Sequence, residues 1–271
     1  MLTLYDAGTA NQVWLQNMRY ILDSGLLQIA RGLEFYEIIG FSSTFDMNYP
    51  VISIPERNFG KHFCPAEAYW ILSGQNRVDT IGPWSNMISK FSNDGIHFDG
   101  AYGPQVMDQI RYIVDCLDED QGSRQAVLTI WRPNPRPSKD IPCTVAMQFL
   151  IRKNRLHCIT TMRSSDLWLG WVYDCFNFTM ITAYIGLCLN QRGIKVSLGN
   201  LQINAGSQHL YVSDVKKHNL TSWVFRPHTP EQYNFGNVYD RLNHPNELME
   251  FLHGAREIGI YEMIDGWGEK S

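Results

Sequence analysis

Pro142-Cys143-Thr144-Val145-Ala146-Met147-Gln148-Phe149-Leu150-Ile151 runs through Lys153-Asn154 into Leu156-His157-Cys158-Ile159-Thr160-Thr161-Met162-Arg163-Ser164, and this stretch decides the fold. Two runs of strand-forming residues flank Lys153-Asn154, a pair suited to a tight turn. The segment therefore predicts a hairpin with strands over Thr144–Ile151 and Leu156–Met162. Cys143 stands where the first strand starts and Arg163-Ser164 where the second ends. A guanidinium offers a planar fork of donors matched to phosphate, and a serine adds a hydroxyl. If both face one pocket, Arg163 would hold an anion and help ionise the thiol, because a nearby cation lowers a thiol pKa. Two plainer readings stand beside this one: Cys143 as an inert buried thiol, and Arg163 as an arginine paired with Asp166.

Outward from the hairpin, strands and helices alternate. Val13–Ala30 carries Trp14, Leu15, Met18, Ile21, Leu22 and Leu26 at helical spacing and predicts a helix. Leu33–Phe41 predicts a strand ending at Gly40, and Pro65–Gly74 a helix with proline in its first turn and glycine after its last. Asn76–Gly103 is turn-rich and predicts surface chain near a site. A helix over Pro104–Leu117 and a strand over Ala126–Trp131 follow, joined to the hairpin by the proline-rich Arg132–Pro137. Asp174–Leu189 is hydrophobic on most faces and predicts a buried helix. Ile194–Ile203 reads as a strand and Ser207–His218 as a helix. This interleaving predicts one α+β domain over residues 1–271.

The composition excludes several classes. The chain has 271 residues, 44% hydrophobic and 18% charged, enough to bury a sizeable core. A net charge of -4 without a lysine/arginine run argues against a nucleic-acid coat or a membrane-surface protein, while a local arginine cluster could still take a small anion. Met1–Gln12 has no signal-peptide pattern, and no stretch is expected to reach the ~20 apolar residues of a membrane span; Phe176–Leu189 comes nearest. Six cysteines without CxxC pairs or zinc-spaced histidines predict no metal and a reducing cytoplasm.

Three further positions admit two readings each. Glu67 is either an exposed acid favoured by its helix dipole or a buried proton carrier. Asp174 is either a helix N-cap or a reader of a heterocycle edge. His209 and Tyr211 either pack a helix start or bind sugar hydroxyls.

Together, Glu67-Ala68-Tyr69-Trp70-Ile71-Leu72-Ser73-Gly74, Ala101-Tyr102-Gly103, Gly122-Ser123-Arg124, Pro142-Cys143, Arg163 to Gly170 and His209-Leu210-Tyr211 resemble the thymidylate synthase superfamily over most of the chain. The resemblance implies an α+β fold with a large twisted sheet at a homodimer interface. It also implies 5,10-methylenetetrahydrofolate as one-carbon donor and a pyrimidine nucleotide monophosphate as acceptor. Carried over by residue, Cys143 would add to C6 of the pyrimidine and make C5 nucleophilic, splitting a hard substitution into two easier steps. Arg163, Ser164 and, from the partner subunit, Arg124 would hold the 5′-phosphate, with Arg31 a further ligand. His209 and Tyr211 would take the sugar 3′-hydroxyl. Glu67 would order water and relay protons, and Tyr102 would assist proton transfer at C5. Asp166, Trp84 and Ile88 fall where the folate would lie.

The departures from the family pattern carry the substrate. Thymidylate synthases have asparagine at the place of Asp174, histidine at Thr144, a second arginine at Gln125 and commonly tryptophan near Ile88. Uracil offers an N3–H donor and an O4 acceptor, which an amide can satisfy. Cytosine offers an N3 acceptor and N4 donors, which a carboxyl group sharing a proton with N3 can satisfy. Asp174, Cys143-Thr144, Met162-Arg163-Ser164 and Glu37-Ile38-Ile39-Gly40 are similar to the phage deoxycytidylate hydroxymethylases, in which water captures the methylene formed at C5. Tyr261–Ser271 also lacks the short apolar tail that closes over folate in thymidylate synthases.

The resemblance thus implies a dCMP hydroxymethylase. A dCMP methylase, a CMP hydroxymethylase and a thymidylate synthase acting on dUMP are the variants on the same scaffold. Two other classes remain: a cysteine hydrolase built on Cys143, His209 and an acid, and a non-catalytic nucleotide- or RNA-binding member of the fold.

Overall fold

The computed structural model of the protein describes residues 7–85, 87–135 and 137–267. Parts of the Met1–Gln12, Arg132–Pro137 and Tyr261–Ser271 readings (residues 1–6, 136 and 268–271) lie outside the described residues.

The chain runs α1 (Ala10–Ser24), β1 (Leu26–Ala30), β2 (Leu33–Asp46), α2 (Phe63–Leu72), α3 (Val78–Ile81), α4 (Tyr102–Glu119), β3 (Val127–Thr129), β4 (Thr144–Arg152), β5 (Arg155–Met162), β6 (Ser165–Asp166), α5 (Trp171–Asn190) and β7 (Ser197–Tyr211). Further α-helices follow among the described residues: α6 (Val212–Lys217), α7 (Leu220–Trp223), α8 (Phe235–Tyr239), α9 (Pro245–Ile258) and α10 (Ile260–Gly266), with 3-10 turns at Pro55–Arg57, Gly82–Trp84 and Ile88–Phe91. The strands form one mixed sheet in the order β1-β2-β7-β5-β4-β3, with β6 also pairing β7. β5 and β6 lie parallel to β7, and the remaining pairs are antiparallel. Helices pack the sheet, as the α+β expectation required.

The predicted hairpin is present. Lys153 and Asn154 both have left-handed backbone (φ 52° and 57°), the geometry of a two-residue turn whose twist matches its strands. Thr144 opposes Met162 across it, so Cys143 and Arg163 meet at one end, where the Arg163 amide donates to the Cys143 carbonyl at 2.8 Å.

α5 forms the centre of the core. Phe176, Phe178, Met180, Ile181 and Ile185 are fully buried. The helix spans 20 residues and contains an 18-residue window of mean hydropathy 1.3, so the expectation that no stretch reaches membrane-spanning length is corrected. Because 78% of that window is buried inside the fold, its length reflects a core helix.

Other expectations also change. The helix predicted over Val13–Ala30 stops at Ser24, because Gly25 turns extended and Leu26–Ala30 pairs with Leu33–Glu37. β2 does not end at Gly40. That residue adopts φ 69° inside the strand, a conformation open to glycine, and pairing with β7 continues to Asp46. α5 begins at Trp171, which puts Asp174 inside the first turn rather than at the N-cap. The helix predicted over Ser207–His218 is present only in its second half, Val212–Lys217, and its first half is strand. Ser207–Tyr211 pairs β2 on one edge while Gln208 and His209 pair β6 on the other, and helix begins only at Val212. Two-sided ladder bonding outweighs local helical pattern there.

Candidate active site

The segment between β5 and α5 is fastened from both sides. Asp166 Oδ1 accepts from the Trp168 and Leu169 amides, both at 2.9 Å, and the buried Trp14 indole donates to the Leu167 carbonyl at 2.8 Å. These bonds fasten the segment from which α5 starts, and Asp174 in its first turn lines a pocket together with Glu67 of α2 and Tyr102 of α4.

A pocket of about 180 Å³ opens at that junction. Glu67 of α2, Tyr102 of α4, Asp174 and Asn177 of α5, Asp140, and an apolar wall including Trp70, Ile88 and Phe91 line it. Gly103 lets α4 start close to the end of α2, since a Cβ there would lie 2.7 Å from the Gln75 carbonyl oxygen. A larger cavity of about 390 Å³ shares Gly100, Ala101 and Asp140 with this pocket and reaches Trp131, Arg132 and Pro142.

Burial dominates the electrostatics. The Asp174 carboxyl is pushed well above the usual carboxylate range, first by burial and then by the charges of Glu67 and Asp166. Burial raises Glu67 to about 7 against the opposing pull of Asn177, whose Nδ2 donates to Glu67 Oε2 at 2.7 Å. Asp166 is also raised, mainly by burial. Tyr102 is raised by burial and then by Asp174 and Cys143, which keeps the phenol neutral. Its Oη accepts from both the Thr144 amide (3.2 Å) and the Thr144 Oγ1 (3.0 Å).

Cys143 departs from expectation. Arg163 does pull its thiol pKa down, but burial outweighs the guanidinium, and Asp174, Asp166 and Asp140 add to the rise. The thiol of the free protein is therefore held protonated. Arg163 is also not paired with Asp166. Its Nε and Nη2 donate to the carbonyls of Pro142 and Ile141, each at 3.0 Å, so the arginine braces the chain entering Cys143.

A second group lies along β7. Ser164 Oγ is 3.4 Å from His209 Nδ1, and the His209 ring packs edge-on against Tyr211 and Phe35. His209 and Tyr211 thus sit on a strand, not at a helix start. Ser207 Oγ donates to Glu37 on the neighbouring strand.

Three sequence-derived positions do not join these groups within one chain. Arg124 is exposed before β3, Arg31 is exposed in the β1–β2 turn with φ 51°, and Trp84 lies under the Arg256 guanidinium, 5.4 Å from its ring centre. Asn177 is a contributor that sequence reading gave no role, and Thr144, read there only as a departure from the family pattern, contributes its Oγ1. A lone amide side chain three residues after Asp174 in an apolar helix was the available signal for the first. Among the described residues no cluster of three or more histidine, cysteine or acidic side chains could hold a metal.

A fold of this topology, with a cysteine, an arginine–serine pair and two buried carboxyls gathered at one end of the sheet, defines a class of nucleotide-modifying transferase, and comparison with known proteins names it. Residues 12–231 match the family described as thymidylate synthase. The chain belongs to the thymidylate synthase family, enzymes that use methylenetetrahydrofolate as a one-carbon donor. It is 24% identical over 234 residues to thymidylate synthase of Francisella tularensis subsp. holarctica, covering 76% of this chain and 82% of that one. It is 28% identical over 172 residues to the deoxyuridylate hydroxymethyltransferase of Pseudomonas phage M6, covering 60% of this chain and 48% of that one. The protein of that name from Bacillus phage SP01 is 27% identical over 177 residues, covering 58% and 45%. The match thus takes in under half the length of either phage protein.

Proposed function

We propose that this enzyme transfers a one-carbon unit to C5 of dCMP, giving 5-hydroxymethyl-dCMP. The observation that carries it is Asp174: a carboxyl group inside the pocket, kept protonated by burial and by Glu67. A protonated carboxyl can donate to cytosine N3 and accept from the N4 amine, a pattern complementary to cytosine. A site built to hydrogen-bond one base edge rejects the other by leaving buried polar groups unpaired.

Methylenetetrahydrofolate would supply the one-carbon unit. The apolar wall of Trp70, Ile88 and Phe91 beside Glu67 suits a flat heterocycle with polar edges, and Asp166 keeps Oδ2 outside its bonds to Trp168 and Leu169. Cys143 Sγ forms a bond to C6 after losing its proton, and the ring electrons move to C5. Proton donation at N3 by Asp174 draws those electrons and favours the attack. After C5 has bonded to the one-carbon unit and lost its hydrogen as a proton, the carbon–nitrogen bond to the folate would break and tetrahydrofolate would leave. Glu67 would orient the water whose oxygen captures the exocyclic methylene and take that water's proton, and Cys143 would depart as thiolate when the C5–C6 double bond is restored. Arg163, Ser164, His209 and Tyr211 would hold the phosphate and the sugar. Arg163 would exchange its carbonyl partners for phosphate oxygens.

A homodimer fits this assignment. Leu26, Leu27, Ile29, Leu33 and Ile39 are all at least half exposed on β1 and β2, and a partner would bring Arg124 to the phosphate.

One second reading has a specific observation behind it: the phage relatives are named for deoxyuridylate, so hydroxymethylation of dUMP is the alternative. Incubating dCMP, CMP and dUMP separately with methylenetetrahydrofolate, followed by mass spectrometry, separates these outcomes. A gain of CH2O on dCMP is expected, whereas a gain of CH2 would mean methylation. Product from dUMP alone would overturn the cytosine assignment.

A further inference from the structure

The amide of Asn177 stands between the two readings of the pocket's charge. It lies three residues after Asp174 on α5, one helical turn along the same face. Its Nδ2 donates to Glu67 across the pocket at 2.7 Å, while its Oδ1 is buried without a hydrogen-bond partner. Leaving a buried acceptor unpaired costs stability, so a residue kept in that state is doing something a hydrophobic side chain in this apolar helix would not do. Half a turn of the amide would present Oδ1 to a protonated Glu67 instead. The same side chain can therefore hold Glu67 in either protonation state.

We propose that Asn177 is a positioning residue that decides which of two neighbouring carboxyl groups, Glu67 or Asp174, carries the proton. By donating to Glu67 it favours charge there, and that charge in turn keeps the proton on Asp174, where a cytosine ring nitrogen would meet it. The assignment of the proton stands on the Asn177–Glu67 hydrogen bond and on the enclosure of both carboxyls in one pocket, whose burial raises both; its consequence for base choice rests on the function proposed above.

Two carboxyls this close and this enclosed do not both ionise readily, so their protons come off in separate steps that belong to the pair. Burial lifts both groups, the charge of Glu67 lifts Asp174 further, and the Asn177 bond is the one contribution that lowers Glu67. Apart from Arg163 beside Cys143 and Arg57 over the Tyr173 ring, the other titratable groups around the pair are neutral or acidic. Cys64 on α2, Tyr173 on α5 and Tyr102 on α4 are all raised, as are Cys143 and Asp166 at the sheet end. Asp140 enters from the loop and is raised as well. On α9, Arg256 lies over the rings of Tyr69 on α2 and of Trp84, and the His253 ring packs on Tyr69, so the Arg256 charge meets aromatic faces.

Infrared titration of the carboxyl carbonyl band in the unliganded protein tests this directly, with Glu67→Gln assigning the signal. In the wild type, one carboxyl should ionise near neutrality while the second stays protonated above it. Asn177→Leu should move the first ionisation up by about one pH unit, a tenfold change in the ionised fraction. Asn177→Ala serves the same purpose if the leucine variant does not fold. An unchanged titration in a folded leucine or alanine variant would overturn the inference. Preference for dCMP over dUMP should fall about tenfold along with the shift. A shifted titration in a protein inactive on every pyrimidine nucleotide would uphold the proton assignment and overturn the proposed function alone.

Discussion

Thr144 donates to Tyr102 twice, through its backbone amide at 3.2 Å and its Oγ1 at 3.0 Å. With both contacts filled by a single residue next to Cys143, the phenol oxygen is anchored and its hydrogen is free to point at the pocket. Burial raises the Tyr102 pKa and keeps the phenol neutral, and on the proposed function it would serve as a proton donor or relay.

Thr144→Val keeps the amide contact and removes the hydroxyl one. Release of tritium from C5-labelled dCMP should slow roughly five- to tenfold, while Thr144→Ser stays near wild type. Equal rates in all three proteins would remove Thr144 from the proton path.

On the proposed function, replacing Cys143 by serine should lower turnover about 10⁴-fold or more, because it would remove the nucleophile and leave the pocket in place. The variant should still bind nucleotide, as a thermal shift would show, and mass spectrometry of the denatured protein should find no covalent adduct.

Asp174→Asn exchanges a proton-sharing carboxyl for an amide matched to uracil. The ratio of kcat/KM for dCMP over dUMP should fall by about 10²-fold or more. Unaltered base choice would mean that Asp174 does not read the pyrimidine edge.

Stability should respond to pH through Glu67. Its folded pKa is raised from 4.5 to about 7, so the folded protein holds this proton more tightly than the unfolded chain does. Stability from this group is full below about pH 4.5, declines as pH rises through 7 and is flat above, a loss of at most about 3 kcal/mol. Asp174 is shifted in the same direction and adds to the decline. Glu67→Gln should flatten the urea midpoint between pH 5 and pH 8 without abolishing the slope. An identical slope in the variant would show that Glu67 titrates normally.

Much of this molecule is readable from local pattern. The hairpin follows from two strand-forming runs around Lys153-Asn154, and α2 and α5 follow from continuous apolar composition. The gathering of Glu67, Tyr102 and Asp174 at one pocket was legible through motif order. What local pattern missed depends on long-range pairing. Leu26–Ala30 looks helical until Leu33–Glu37 folds back on it, and Ser207–Tyr211 looks helical until β2 and β6 claim its two edges.

The amino-acid sequence by itself determined which chemical groups are available: a thiol, an arginine–serine pair, an aspartate in place of an amide, and the helices and hairpin that carry them. Only the tertiary structure decided their states. Side-chain charge depends on burial and on neighbours distant in the chain, so the protonated thiol of Cys143, the carbonyl-bound Arg163 and the amide of Asn177 set against Glu67 emerge only once α2, α4 and α5 close around one pocket.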